Sequence, residues 1–309
     1  NSQATYLWKI SKDKLETYKF DIRKESLENR VKLLRQLIKS KADEEKIAPQ
    51  AYFIYQKILE PAMKNISTGK NLLIIPDGIL HYLPFEVLLT DKVNNENMDF
   101  EDFPFLIKKF PIHYVQSASV LTTLNKKVKQ PLKSKKILAL GDPVFRGGNI
   151  LGDNVFFRGT VKEAERAGFK RLIYSGNEVK AIRKLVKQSD IYLGEEAKEE
   201  RIKQSKKLDQ YRYIHFATHG ILNEVKPQYS GIVLTQDDDP AEDGFLQMRE
   251  IFNLRINADL VTLSACETGL GKMVRGEGII GLTRAWIYAG TPSVLVSLWN
   301  LEDESTSKL

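Results

Sequence analysis

The spacing of apolar and polar residues divides the chain into two regions. In the first region, Glu25–Ser40 has apolar residues at helical spacing, and a second helical run over Gln50–Asn65 is interrupted by Pro61. Short apolar runs with strand-like patterns follow, at Leu72–Ile75, Ile79–Leu89 and Phe105–Val115. We therefore expect a first unit of helices and strands over residues 1–125.

A polar segment separates this unit from the rest of the chain. Residues 126–136 (KKVKQPLKSKK) are rich in lysine, contain one proline and show no apolar period. Such a composition is typical of a linker. We place the domain boundary there and a second unit at residues 137–309.

In the second unit, short apolar strands alternate with helices. The pattern predicts strands at Ile137–Leu140, Arg212–Ala217, Leu260–Ala265 and Ser293–Leu298. Helices are predicted from Ser175 to Lys187, opened by a capping box between Ser175 and Glu178, and over Gly278–Ala289. This alternation is typical of an α/β fold with a mostly parallel sheet covered on both faces. Val144–Arg171 is long and contains glycines, and we expect a mobile loop there.

Composition narrows the possible functions. The chain has 309 residues, a net charge of +7, one cysteine and four histidines. One cysteine excludes an internal disulfide and weakly favours a reducing compartment, so we expect a cytoplasmic protein. No apolar stretch is long enough to span a bilayer. The histidines do not form a metal-binding pattern, and residues 269–273 (GLGKM) lack the features of a phosphate loop, so no metal or cofactor is expected.

Candidate catalytic residues fall where two predicted strands end. His219 follows the strand that ends at Ala217, and Cys266 follows the strand that ends at Ala265. Reactive groups in open α/β sheets gather beyond the carboxyl ends of the strands. A thiolate there can attack a carbonyl while a nearby imidazole transfers protons. The tight turns expected at these positions would free the backbone N–H groups of Gly220 and Cys266 for an oxyanion hole.

Other interpretations of these residues stay open at this point. Cys266 could pack as a small buried hydrophobe beside a structural histidine. Redox sensing is disfavoured because no second cysteine could resolve an oxidised thiol. The lysine-rich segments Lys126–Lys136 and Lys198–Lys207 could bind nucleic acid. No aromatic residues interleave with these lysines, and we expect at most an indirect association.

Several motifs resemble those of one protein family. Residues 215–220 (HFATHG) and 263–269 (LSACETG) resemble the two signature motifs of CHAT domains, and so do residues 276–282 (GEGIIGL) and 289–299 (AGTPSVLVSLW). Residues 75–78 (IPDG) and 80–85 (LHYLPF) resemble the first subdomain of the family. The resemblance covers roughly residues 50 to 309, and the separation of His219 from Cys266 is close to the roughly 50 residues noted for caspases.

The resemblance implies a caspase-like fold related to separase, with a pseudo-caspase α/β subdomain preceding the catalytic one. It implies a cysteine endopeptidase that cleaves a protein substrate through Cys266 and His219. His81, in the first subdomain, is expected to be structural. The family normally continues beyond Trp299, and the chain opens on Asn1 without a methionine, so we expect a piece of a longer protein.

The resemblance also suggests partners. CHAT domains often follow TPR repeats, so we expect a regulatory protein or TPR module outside this chain, and bacterial defence is a plausible setting. The main alternative is a catalytically silent scaffold in a signalling or defence complex. In the enzyme, the loop over Val144–Arg171 would have to be ordered before the site becomes competent.

Three acidic residues could set the substrate preference. Asp142 ends the first strand of the second unit, and Glu302 and Asp303 follow Trp299. An acidic pocket formed by them would favour cleavage after arginine or lysine. Alternatively, Asp142 only caps its Gly-Asp-Pro turn while the other two carboxylates are solvated.

Overall fold

The computed structural model describes residues 3–93, 99–126, 136–145, 169–203, 208–221, 223, 226–236, 242–265, 271–274, 278–299 and 303–307. The chain divides into two compact units, Asn1–Leu121 and Thr122–Leu309. Most of the predicted linker, residues 127–135, lies outside the described residues. Its role as a linker stays a prediction.

The first unit combines helices with two small sheets. Its elements are β1 (Thr5–Ile10), β2 (Leu15–Phe20), α1 (Lys24–Lys39), α2 (Glu44–Ile58), α3 (Glu60–Met63), β3 (Leu72–Ile74), α4 (Leu106–Lys109), β4 (Ile112–Tyr114) and α5 (Ala118–Lys126), the last extending into the second unit. Strands β1 and β2 form an antiparallel hairpin, and β3 pairs with β4 in parallel. Helix α1 buries Leu27, Val31 and Leu34, which lie on one face at helical spacing.

Two of the strand predictions for the first unit are wrong. Ile79–Leu89 forms two 3₁₀ turns, Gly78–Tyr82 and Phe85–Val87, in place of a strand. Pro84 lies between them, and proline cannot donate a hydrogen bond to a sheet. Of the predicted strand at Phe105–Val115, only β4 is formed, because α4 and Pro111 precede it.

The second unit contains most of the strands. Its elements are β5 (Lys136–Pro143), α6 (Ile173–Leu185), β6 (Ser189–Gly194), α7 (Glu200–Lys203), β7 (Tyr211–Ala217), β8 (His219–Ile221), β9 (Gly231–Val233), β10 (Phe245–Gln247), α8 (Met248–Ile251), β11 (Leu260–Ser264), β12 (Gly271–Val274), β13 (Gly278–Gly281), α9 (Leu282–Ala289), β14 (Val294–Val296) and α10 (Asp303–Thr306).

A five-stranded parallel sheet forms the centre of this unit. The strand order is β14-β11-β7-β5-β6, and every neighbouring pair is parallel. The chain passes from β5 to β6 on one side and then to β7 on the other, so the order reverses between β5 and β7. In such sheets, ligands bind at the carboxyl edge where the order reverses. A smaller antiparallel sheet of β8, β9 and β10 follows β7 in the chain.

Helices cover both faces of the parallel sheet. Phe216 and Leu263 belong to the core that includes Trp286 of α9. On the opposite face, Ala139 and Ala217 pack against Val179 of α6. The α/β class with a helix-covered parallel sheet is therefore confirmed.

Gly141 explains how closely α6 approaches β5. A Cβ atom at Gly141 would lie 2.7 Å from the Val179 side chain and 2.8 Å from the Ser175 carbonyl oxygen. Only glycine allows this contact, which brings the start of α6 to the carboxyl end of β5.

Two further predictions for the second unit are corrected. The helix expected over Gly278–Ala289 begins only at Leu282, because Gly278–Gly281 is strand β13 paired with β12. Glycines disfavour the helix there, and the isoleucines between them favour a strand. Helix α6 begins at Ile173 after Leu172, without a side-chain cap, so the predicted capping box at Ser175 is wrong.

Among the described parts of the chain, no helix combines the length and the apolar character that crossing a membrane requires.

Mutation of Phe216, which contacts Trp286, tests the packing of the central core. Both side chains are fully buried, and their ring centroids lie 5.3 Å apart. Phe216→Ala should lower the free energy of unfolding by about 3–5 kcal/mol. Tyr288→Ala, at a position 72% exposed on the same helix as Trp286, should cost about 1 kcal/mol or less. Urea denaturation measures both, and equal losses would contradict this assignment of the core.

Candidate active site

His219 lies where the chain leaves the parallel sheet. Strand β7 ends at Ala217, and His219 begins β8, which pairs with β9. Between them, the N–H group of Thr218 donates to the Ser264 carbonyl oxygen at 3.1 Å, and its hydroxyl donates to the Val233 carbonyl oxygen. These two bonds tie the start of β8 to both sheets. The tight turn expected at His219-Gly220 is therefore a short strand.

The His219 ring is enclosed by aromatic side chains. The residue is 8% exposed, and its ring centroid lies 5.2 Å from that of Phe145 and 5.4 Å from that of Phe169. The Nε2 atom lies 2.6 Å from the Lys170 carbonyl oxygen. Because a carbonyl oxygen only accepts, Nε2 must carry the proton, and in the neutral ring Nδ1 then becomes the proton acceptor.

The surroundings favour the neutral form of His219. Burial lowers its pKa below the ordinary histidine value, while the Lys170 carbonyl raises the pKa and only partly offsets burial. A neutral imidazole with a defined tautomer is the state that a general base requires.

The predicted nucleophile, Cys266, lies outside the described residues. The described chain reaches Ser264, which pairs in register with Ala217, and the buried Ala265. The Ala265 carbonyl oxygen accepts a hydrogen bond from the Ser297 hydroxyl. Gly220, predicted to contribute to the oxyanion hole, lies opposite Ile232 in the β8–β9 pair.

The predicted acidic pocket is only partly within the described chain. Asp142 adopts a left-handed conformation with φ of 48°, and both of its carboxylate oxygens accept hydrogen bonds from Arg171 at 2.8 Å. Its charge is therefore already paired within the chain. Glu302 lies outside the described residues, and Asp303 begins α10, although its side chain is not described.

Glu178 has a role that was not predicted from the sequence. Its Oε1 lies 2.7 Å from His215 Nε2, and its Oε2 accepts a hydrogen bond of 3.2 Å from the Ser264 hydroxyl. Glu178 thus links α6 to β7 and β11 just before their carboxyl ends. A signal was present in the sequence, because a histidine inside a buried parallel strand needs a polar partner from the covering helix.

A group of carboxylates lies elsewhere in the second unit. Lys203 Nζ lies 2.5 Å from Glu199 Oε1, 2.8 Å from Glu250 Oε1 and 3.3 Å from Glu242 Oε2. Burial raises the pKa of Glu199 to about 7, against the opposing effect of Lys203. The ammonium group supplies the positive charge there, and within the described ranges no group of three or more histidine, cysteine or acidic side chains is arranged to hold a metal ion.

Comparison with known proteins assigns the family. The sequence model of the CHAT domain matches residues 49–309, and the chain therefore belongs to the CHAT domain family. This is a caspase-like peptidase family, and the helix-covered parallel sheet agrees with a caspase-like fold.

A curated relative extends the comparison. The chain is 33% identical over 75 residues to tetratricopeptide repeat protein 28 of Mus musculus. The match covers 24% of this chain and 3% of that protein, so the chain spans only a small part of its relative.

Removal of the Glu178 carboxylate should destabilise the second unit. Glu178→Leu leaves the His215 ring and the Ser264 hydroxyl without their shared acceptor, and we expect a loss of about 2–4 kcal/mol. Glu178→Gln keeps one acceptor oxygen and should cost less. Lys180→Leu, at an exposed position on the same helix, serves as the control for urea denaturation. A loss for Glu178→Leu no larger than the control would argue against the link.

The burial of His219 should make stability depend on pH. Because folding lowers the pKa of His219, its contribution is present above the ordinary histidine pKa of about 6.5. That contribution is lost as the pH falls toward the folded-state value, since the unfolded chain binds the proton more readily. Between about pH 7.5 and about pH 5.5, the wild type should therefore lose more unfolding free energy than His219→Gln.

The comparison isolates His219 from the rest of the chain. Burial also lowers the pKa of His81, which both proteins retain, so its contribution cancels. Equal losses for the two proteins would show that His219 is not held neutral by burial.

Proposed function

We propose that this chain is a cysteine endopeptidase in which Cys266 is the nucleophile and His219 is the proton-transfer residue. The observation that carries the proposal is the burial of the His219 ring together with its hydrogen bond to the Lys170 carbonyl. The ring is buried, burial favours its neutral form, and its Nε2–H donates to the Lys170 carbonyl oxygen. His219 lies two residues beyond the end of the parallel strand β7. Family membership supplies the reaction class, because CHAT domains are caspase-like peptidase domains.

The register of the sheet supports a short distance between the two residues. Ala217 pairs with Ser264, and His219 and Cys266 each follow their paired residue by two positions. Two residues of extended chain span at most about 7 Å, so both side chains start from one small part of the sheet edge. The Thr218–Ser264 hydrogen bond restrains the two connections at that edge.

The chemistry follows from the tautomer of His219. In the first step, Nδ1 accepts the thiol proton of Cys266, and the thiolate attacks the carbonyl carbon of the scissile peptide bond. The imidazolium then returns the proton to the leaving amine. Water hydrolyses the resulting thioester and releases the second product. The N–H groups of Gly220 and Cys266 are the proposed donors to the oxyanion.

The proposal extends to substrate preference and to control of the activity. Asp142, with Glu302 and Asp303, would favour a basic residue before the scissile bond. A basic substrate side chain would have to replace Arg171 as the partner of Asp142. The tetratricopeptide relative favours control by a TPR module or regulatory protein outside this chain. The single cysteine favours a cytoplasmic location.

Cleavage of a peptide library by the wild type, by Cys266→Ala and by His219→Ala tests the proposal. The chain should be assayed with its natural flanking segments and with any protein that co-purifies. Loss of either member of such a pair should reduce kcat by at least about 10³-fold. Lys180→Leu, at an exposed position on α6, should retain activity.

Labelling of Cys266 with a fluorescent iodoacetamide gives a second measurement. The thiol should react faster than a free cysteine, and His219→Ala should remove the excess rate. No cleavage by the wild type, together with an unreactive thiol, would favour the scaffold alternative.

A further inference from the structure

A short segment lies at the carboxyl edge of the sheet where the strand order reverses. Asp142 ends β5 on one side of this position, and His219 follows β7 on the other. Phe169–Leu172, which we call the strap, contacts both residues through its side chains and carbonyl groups. The strap therefore occupies the part of the sheet edge where α/β proteins generally place their functional groups.

Every residue of the strap makes a specific contact. Phe169 packs on the His219 ring and on Phe245, and the Lys170 carbonyl accepts from His219 Nε2. The Arg171 guanidinium donates two hydrogen bonds to Asp142, and the Leu172 carbonyl accepts from the Ser175 hydroxyl at 2.7 Å. The carbonyl that orients His219 thus lies directly beside the residue that binds Asp142.

Asp142 is itself held rigidly. Its backbone N–H donates to the Ser175 hydroxyl at 2.8 Å. A Cβ atom at Gly176 would lie 3.1 Å from the Asp142 Cβ, so the start of α6 packs closely against it. The left-handed conformation of Asp142, with φ of 48°, is one that aspartate and asparagine adopt more readily than most residues. The carboxylate is therefore presented to Arg171 from a fixed position.

The geometry of the ion pair favours a positioning role. The Arg171 side chain is 63% exposed, and simple surface ion pairs contribute little to stability. This pair, however, is bidentate and fixes the direction of the guanidinium as well as its distance. Its effect falls on the orientation of the neighbouring peptide group, which carries the Lys170 carbonyl.

We propose that Asp142 and Arg171 are positioning residues for His219, because their ion pair holds the Lys170 carbonyl against His219 Nε2. The hydrogen bond selects the tautomer in which Nδ1 is the proton acceptor. The inference rests on the proposed peptidase function and gives Asp142 a role other than recognition of a basic substrate side chain. Loss of the ion pair should reduce kcat by roughly 10- to 100-fold, as expected when a reacting group is displaced slightly.

The test compares Asp142→Asn, Arg171→Gln and Arg171→Lys with the wild type in the full chain. Asparagine tolerates the left-handed conformation, so the first variant removes charge with little backbone strain. Lysine keeps the charge but not the bidentate geometry, and should restore only part of the function. Arg183→Gln, at an exposed position on α6, is the matched control.

The first readout is the titration of His219, followed by NMR of the ¹⁵N-labelled imidazole. Because the Lys170 carbonyl raises the pKa of His219, Asp142→Asn and Arg171→Gln should lower that pKa further. Both variants should also speed exchange of the Nε2 proton, whereas Arg183→Gln should leave the spectrum unchanged. An unaltered His219 titration in the two Asp142–Arg171 variants would overturn the proposal.

The second readout is peptide cleavage. We expect a lower kcat, an unchanged preference for the residue before the scissile bond, and partial rescue by Arg171→Lys. Faster cleavage by Arg171→Gln would overturn positioning in favour of a blocking role for Arg171. Loss of a basic preference in Asp142→Asn would overturn it in favour of substrate recognition. If the two variants shift the His219 titration while the wild type cleaves no peptide, the positioning role is supported and the peptidase function is refuted.

Discussion

The parallel pairing of β7 with β11 is the constraint on which the candidate site depends. It aligns Ala217 with Ser264, and the hydrogen bond from the Thr218 N–H group to the Ser264 carbonyl extends the alignment beyond the last pair. The strands β7 and β11, which are distant in sequence, consequently end at the same level of the sheet. The chemistry proposed for His219 and Cys266 needs this common starting point, since side chains alone cannot correct a displaced strand.

The polar side chains buried near the site lose contact with water and need hydrogen-bond partners from the protein. The aromatic rings of Phe145 and Phe169 exclude water from His219, which would leave a polar nitrogen without a partner. The Lys170 carbonyl supplies that partner. On the α6 face of the sheet, Glu178 serves His215 and Ser264 in the same way. The buried groups of His219, His215 and Ser264 are therefore satisfied by contacts that also orient elements of the site.

Four of the five strands of the parallel sheet could be predicted from the sequence, because they are short apolar runs that end in polar residues. The positions of β7, β11 and His219 follow from that pattern. The role of Glu178 does not follow from the pattern, since Ser175 and Glu178 match a capping box locally. In the structure, Ser175 lies inside the helix and packs closely against Gly141. The pairing of Asp142 with Arg171 depends on tertiary contacts that no local pattern encodes. In the first unit, prolines broke apolar runs that otherwise resembled strands.

The contact between Phe145 and Phe169 has a consequence for the two ends of the intervening segment. Their ring centroids lie 5.5 Å apart, and both rings also lie against the His219 ring. Two residues that are distant in sequence are therefore held together beside one histidine. Because this contact fixes the separation of the two ends, the packing around His219 does not require any particular length for the segment that joins them.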